Sequence, residues 1–255
     1  MNAEVHGLHE FHLSPLGRLA ARLVGQRLAA LWPDAGRREV AGLGFAAPFL
    51  HAMPPGPGRR ILLTPSTLAD RLGAVVSESA LPLPDRCLDG IVLAHALEAC
   101  PAPRLLLREC WRVLRDDGRL LVVAPNRLGP WALFEHTPFG QGRPYSPGQV
   151  SRLLESQMFR VERRDGALFH PPFPWPWALR GAGLSEALGR RCLSRFAGVL
   201  VLEAEKDLFA AMPAGAVSLR RRVVMPVRAA VRSVAAGKRA PAPPAGVAAL
   251  RVPLR

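Results

Sequence analysis

Residues 81–126 read LPLPDRCLDGIVLAHALEACPAPRLLLRECWRVLRDDGRLLVVAPN, and the fold is decided there. Leu81 to Asp85 is stiffened by Pro82 and Pro84, which fix φ and remove backbone donors, so it is a loop. Asp89 to Leu93 is a short apolar run suited to a strand covered on both faces. His95-Ala96-Leu97-Glu98 leaves that strand, and Pro101 and Pro103 lead into a helix from about Arg104 to Leu114. Leu106, Leu107, Cys110, Trp111 and Leu114 recur at helical spacing, while Arg104, Arg108, Arg112 and Arg115 take the wet side. Asp116-Asp117-Gly118 supplies a turn, and Arg119 to Asn126 is a second buried strand. The stretch is a βαβ unit.

This unit resembles the middle of the class I S-adenosylmethionine-dependent methyltransferases, in particular the small-molecule group often called type 11. The matching residues are the Leu81–Asp85 loop, the Leu88-Asp89 pair, His95-Ala96-Leu97-Glu98, Leu107 to Leu114, and Gly118 to Val122. The resemblance implies an α/β fold with a Rossmann-like seven-stranded sheet, mostly parallel with the last strand antiparallel, and helices on both faces. These residues mainly build the sheet, so they speak to fold more than to activity.

Working outward, Ser14-Pro15 is an N-cap followed by proline at the first helical position, and an apolar stripe from Leu16 to Leu31 ends at Trp32-Pro33. This predicts a covering helix over 14–32. Glu39 to Ala41 is a first strand, Arg60 to Leu63 a second, Thr67 to Leu72 a short helix and Ala74 to Val76 a third strand. Beyond the βαβ unit, a long loop from Arg127 to Pro147 precedes a helix near Gln149 to Gln157. Arg160 to Glu162 is a sixth strand and Phe196 to Ala204 a seventh. Between these two, an insert at about 168–195 holds a Pro-aromatic run from His170 to Trp177 and a helix near Leu184 to Cys192. It reads as a lid or substrate wall, or equally as a surface loop pinned by aromatics.

The chain has 255 residues, of which 49% are apolar and 21% charged, as expected of a soluble protein. No run is long enough for a membrane helix, Met1 to Phe11 lacks a signal-peptide core, and Cys87, Cys100, Cys110 and Cys192 have no C-x-x-C spacing. A cytoplasmic location with reduced thiols is the expectation. The formal charge is +14, yet of the 34 basic residues only Lys206 and Lys238 are lysines, a bias that GC-rich coding explains. Nine of the basic residues and no acids fall in 216–255, which leaves 25 basic against 20 acidic residues in 1–215. The division expected is a methyltransferase-like domain over 1–212 and a basic, disordered tail over 213–255 with one basic helix near Val223 to Val234. Contact of that tail with nucleic acid or an anionic membrane is the less favoured reading.

The resemblance implies S-adenosylmethionine as cofactor, held mostly by backbone at the exit of the first strand. Gly42, Gly44 and Ala46 occupy the three positions of the glycine turn. Gly44→Arg is expected to block that turn without unfolding the domain. Two acidic positions of the family are replaced. The second strand ends Leu63-Thr64-Pro65 where the family has a ribose-binding carboxylate, and Ser77, next to Glu78, stands where an Asp meets adenine. Each lost charge-assisted bond weakens binding by about 1.5–3 kcal/mol unless Thr64 or Glu78 compensates. Ala94 closes the cofactor side of the fourth strand.

Methyl transfer requires alignment of nucleophile, methyl and sulfur more than acid–base chemistry. His95 is the candidate base for an acceptor hydroxyl or amine, with a structural hydrogen bond at the strand end as the equal alternative. Glu98, Asn126, Trp131, His136, Arg143 and Tyr145 are the candidate pocket-lining residues, and Arg143 suits an anionic acceptor. His6, His9 and His12 repeat every third residue on what reads as a flexible N-terminus, without the supporting ligands of a metal site, and no metal is assigned. The functional expectation is methyl transfer from S-adenosylmethionine to a small-molecule acceptor. The alternative is a degenerate methyltransferase fold that serves as a binding or regulatory module.

Overall fold

The computed structural model describes residues 3–65, 73–134, 137–173, 175 and 180–208. The expected helix at 67–72, His136 and the segment 213–255 lie outside the described residues. Seven strands form one sheet in the order β3-β2-β1-β4-β5-β7-β6. They are β1 (Val40–Gly44), β2 (Arg60–Pro65), β3 (Ala74–Val76), β4 (Leu88–Ala94), β5 (Leu114–Pro125), β6 (Phe159–Ala167) and β7 (Val199–Lys206). Strands β1 to β5 pair in parallel, and β7 inserts antiparallel between β5 and β6. The expected sheet and its antiparallel seventh strand are both present.

Alternate residues of the central strands feed two cores. Val92 and Ala94 of β4 and Leu121 and Val123 of β5 face one core, which also takes the buried stripe of helix α2 (Pro15–Leu31). Ile91, Leu93, Leu120 and Val122 face the other, filled by α4 (Pro103–Val113) and α5 (Pro147–Glu155). Ser14 caps α2 by accepting from Gly17 N at 3.0 Å, and Ser146 with Gln149 forms a reciprocal capping box on α5. At the far end of α2, the Trp32 indole donates to the buried Glu203 carboxyl on β7 at 3.0 Å, and Arg119 of β5 reaches the same group at 2.9 Å.

The proline-stiffened loop is fastened to α4 by side chains of the helix itself. Arg112 donates to the carbonyls of Leu81 and Leu83 and to Asp85, while Glu109 accepts from Leu81 N and pairs with Arg112 at 2.8 Å. The Arg112 guanidinium holds the Glu109 carboxyl below the usual range. The Leu-Pro loop and the Glu-x-x-Arg of the helix are thus two halves of one contact.

Two elements differ from expectation. The N-terminus is not a flexible arm: α1 spans Ala3–Leu13 and packs on α2. Strand β5 begins at Leu114 rather than Arg119, because Leu114 already pairs with Leu88 of β4. The chain then makes an excursion through Asp116-Asp117-Gly118 before Arg119 joins Gly90. Arg115, on that excursion, pairs with Asp89 and Glu39 and so fixes its path. The remaining elements are α3 (Ala47–His51), α6 (Ala182–Cys192) and short 3-10 turns at Pro130–Leu133, Pro138–Gly140 and Ser194–Phe196.

Candidate active site

The C-terminal ends of β1 and β4 meet in a clasp. Phe45 N donates to Ala94 O at 2.8 Å, so the chain leaving β1 is bonded directly to the last residue of β4. Gly44 sits at φ +86°, and a Cβ there would fall on the Ala94 carbonyl oxygen and within 2.9 Å of Ala96 Cβ. Only glycine combines that backbone with that approach. At Gly42 an added Cβ would meet Leu50 of α3 and, at 2.8 Å, Ala46. Both glycines are therefore required by packing, which corrects the expectation that Gly44→Arg leaves the fold intact. Ala46 and Ala94 are themselves buried in the same junction.

His95, the first residue after β4, adopts φ +52° and is 4% exposed. Its Nδ1 lies 3.1 Å from Glu98 Oε1, and the Glu98 side chain is equally sheltered. His95 Nε2 and both Glu98 oxygens are buried without a well-formed hydrogen bond. A cavity of about 140 Å³ adjoins them, walled by Leu8 of α1, His95, Glu98, Pro138, Gln141 and Gly142. Gly142 has a positive φ of 73° and brings the loop back to Glu98. Tyr145 donates to Leu97 O at 3.3 Å, and burial followed by the nearby Glu98 pushes its phenol up.

Histidine 12 is the group that sequence reasoning missed. It is buried, stacks on Phe45 with ring centroids 5.0 Å apart, and meets Phe49 and His95 edge-on at 5.7 and 6.1 Å. Phe139 closes the other side of His95 at 4.9 Å. Neither ring nitrogen of His12 makes a well-formed hydrogen bond. Burial, reinforced by His95, pulls its pKa down to about 3, so the ring is neutral. The signal in the sequence is Leu8, Phe11 and His12 at helical spacing, which marks one face of α1 rather than a metal-binding arm.

The other expected residues divide. Arg143 is exposed on the loop that reaches the cavity. Asn126 and Trp131 are pins rather than pocket walls. Asn126 is fully buried and its amide donates to Arg195 O at 3.0 Å and Ala197 O at 2.7 Å while its oxygen accepts from Leu128 N. The Trp131 indole donates to His170 O at 2.6 Å. Thr64 is buried at the end of β2, and Ser77 is exposed beyond β3, 3.0 Å from the Ser79 hydroxyl. Glu78 accepts from the Cys100 thiol at 2.9 Å, a contact that together with burial raises that thiol to about 12.

The sequence model of a family described as a methyltransferase domain matches residues 65–122, the segment from the end of β2 into β5. A solved SAM-dependent methyltransferase from Thermotoga maritima, described as a possible histamine N-methyltransferase, superposes with a TM-score of 0.53 at 19% identity. It covers 79% of this chain and 96% of that one. The chain has the class I methyltransferase fold. A probable S-adenosylmethionine-dependent methyltransferase of Mycolicibacterium smegmatis is 35% identical over 108 residues, 42% of this chain and 37% of its own length. An uncharacterized Escherichia coli protein, YafS, is 31% identical over 111 residues, 42% of this chain and 45% of its own length. The chain thus spans less than half the length of these curated relatives. The family read from the βαβ unit is the family these likenesses return.

Proposed function

We propose that this chain binds S-adenosylmethionine across the C-terminal ends of β1 to β4 and transfers its methyl group to a small-molecule acceptor. The observation that carries the reading is the buried His95–Glu98 pair beside a cavity at the β4 exit, with His95 Nε2 and Glu98 Oε2 left without a hydrogen bond. In an open α/β sheet, ligands sit outside the carboxyl ends of the strands where the order reverses, here between β1 and β4. The cofactor supplies an activated methyl on a cationic sulfur, and a buried carboxyl with one oxygen left over is a fitting neighbour for that charge.

The fit is good at the methionine end and thin at the ribose. Glu98 Oε1 is held by His95 Nδ1 at 3.1 Å, its Oε2 is buried without a hydrogen bond, and Leu8 and Pro138 line the cavity beside them. Thr64 and Ser77 provide only hydroxyls, and Glu78 shares its carboxyl with Cys100. We therefore expect weaker cofactor affinity than an acidic β2 end would give. The cavity of about 140 Å³ is smaller than the 300 Å³ or more typical of drug-sized ligands, which suits a small acceptor group. In this reading His95 Nε2 takes the acceptor proton while Glu98 holds Nδ1 and the ring orientation.

Calorimetric titration with S-adenosylhomocysteine tests the reading, and absence of heat at millimolar ligand ends it. His95→Ala should lower turnover at least tenfold with nearly unchanged affinity, as for an interaction made in the transition state. The second reading, a degenerate binding module, is favoured by Thr64 in place of the acid. It predicts that His95→Ala changes melting temperature while leaving no turnover to lose.

A further inference from the structure

Large apolar side chains stand exposed on the segments that follow β5 and precede β7. Leu133 is 77% exposed, Leu184 69% and Leu188 56%, and Leu128, Trp175 and Phe196 are each half exposed. Single exposures of this kind are ordinary, but a cluster on connected elements marks an interaction surface. The connections are explicit. Phe134 meets Phe173 at 5.6 Å, which stacks on Trp175 at 4.9 Å. The Asn126 amide ties the loop after β5 to Arg195 and Ala197, and the Trp131 indole ties it to His170.

Helix α6 is held among these segments in a fixed orientation. The Glu186 carboxyl accepts from Leu168 N at 3.0 Å and Phe169 N at 2.8 Å, and Ala182, Glu186 and Gly189 are buried. Leu184 and Leu188, one turn apart, consequently face outward. Along this segment of the sequence the exposed charge has one sign, and the half-buried Asp165 just before it pairs with Arg27. Between residues 166 and 202 the basic residues Arg180, Arg190, Arg191 and Arg195 are exposed, whereas the single acid, Glu186, is buried. Arg127, also exposed, adjoins Leu128.

Exposed leucines and aromatics bordered by arginines, with no exposed acid, are the pattern of an element lying in a membrane interface. We propose that α6 and the segments around it dock on an anionic lipid surface, with Leu184 and Leu188 entering the acyl boundary and Arg191, on their face of the helix, at headgroup level. A protein partner of mixed charge would leave this one-sided arginine border without purpose, and an anionic leaflet satisfies it. The proposal does not depend on the methyl-transfer reading.

The exposed Cys192, at the end of α6, allows a direct test on the full chain. Cys100 and Cys110 are buried and Cys87 is half-buried, so in a Cys87→Ser background a polarity-sensitive maleimide dye at neutral pH labels Cys192. On mixing with phosphatidylcholine vesicles containing phosphatidylglycerol, the dye emission should shift to the blue and brighten, and vesicles of phosphatidylcholine alone should give far less. The double substitution Leu184→Ser/Leu188→Ser, at exposed positions that leave the melting temperature unchanged, should weaken partitioning at least tenfold. Sedimentation with vesicles without any dye response would assign binding to the basic segment 216–255 instead and overturn the proposal. Equal partitioning of the double variant, or a doubled mass independent of lipid, would overturn it as well.

Discussion

The most exposed consequence of the site is its pH dependence through His12. In the folded protein the ring is neutral down to about pH 3, against 6.5 for a free histidine, because it is buried among Phe45, Phe49 and His95. Between these two values the unfolded chain binds a proton at this position that the folded chain does not. Stability therefore rises with pH through that window and is lost as pH falls from 6.5 towards 3. Integration gives a loss of about 2 kcal/mol between pH 7 and pH 5, and a ceiling of about 5 kcal/mol in strong acid. For a domain of this size, 2 kcal/mol corresponds to roughly 4–8 °C in melting temperature. His170 and the carboxyl groups titrate in both proteins, so the informative quantity is the difference between wild type and His12→Phe. The substitution replaces one flat ring by another in an aromatic cage and removes two buried nitrogens without partners. His12→Phe should be the more stable protein at pH 7, by about 1 kcal/mol or more. Its advantage should widen by about 2 kcal/mol at pH 5. Urea unfolding at both pH values measures this. An advantage that is the same at pH 5 and pH 7 would refute the burial argument.

Three shorter predictions follow from the same junction and its surroundings. Gly44→Ala forces an L-residue to φ +86° against the Ala94 carbonyl and should cost at least about 2 kcal/mol, read as a fall in melting temperature whether or not ligand is present. Thr64→Asp restores a carboxyl at the end of β2 and should tighten S-adenosylhomocysteine at least about tenfold in calorimetry; unchanged affinity would place the ribose elsewhere. We also propose, from composition, that residues 213–255 are dispensable for folding. Truncation after Met212 should leave the melting temperature within a few degrees, and a large loss would show that the segment packs on the body.

What could be read from sequence was local. The βαβ unit announces itself because strand, helix and turn each carry their own periodicity within 46 contiguous residues, 81–126, and because Arg112 and Glu109 bind a loop about thirty residues away. The Ser14 and Ser146 caps act across three residues and are equally plain. The errors concern long-range contacts. Asn126 has the polarity of a pocket residue, but its partners are 69 and 71 residues distant, and Trp131's is 39. His12 is separated from Phe45 and His95 by entire strands, so its helical spacing with Leu8 and Phe11 marks a face of α1 without showing what that face packs against. The start of β5 was misplaced because Asp116-Asp117-Gly118 has turn composition, whereas the pairing of Leu114 with Leu88 decides the strand. Thr64 is the opposite case: its departure from the family pattern is visible in sequence, and its consequence depends on the ligand.

The cluster at the β4 exit also bears on whether the site is used. His12 leaves two ring nitrogens, His95 its Nε2 and Glu98 its Oε2 buried without a hydrogen bond, while Glu98 Oε1 keeps His95 Nδ1 at 3.1 Å. Each such atom costs about 1–3 kcal/mol relative to a satisfied one, a large total beside the 5–15 kcal/mol that holds a domain together. A module that needed only to fold could fill the same volume with apolar side chains, as Phe45, Phe49 and Phe139 already do on three sides. The cost is recovered only if a polar ligand enters the cavity and pairs with His95 Nε2 and Glu98 Oε2. His12, which faces the aromatic cage, gains nothing from such a ligand directly. The two groups should therefore separate experimentally: ligand binding stabilises through His95 and Glu98, and the acid sensitivity of His12 persists in the bound protein.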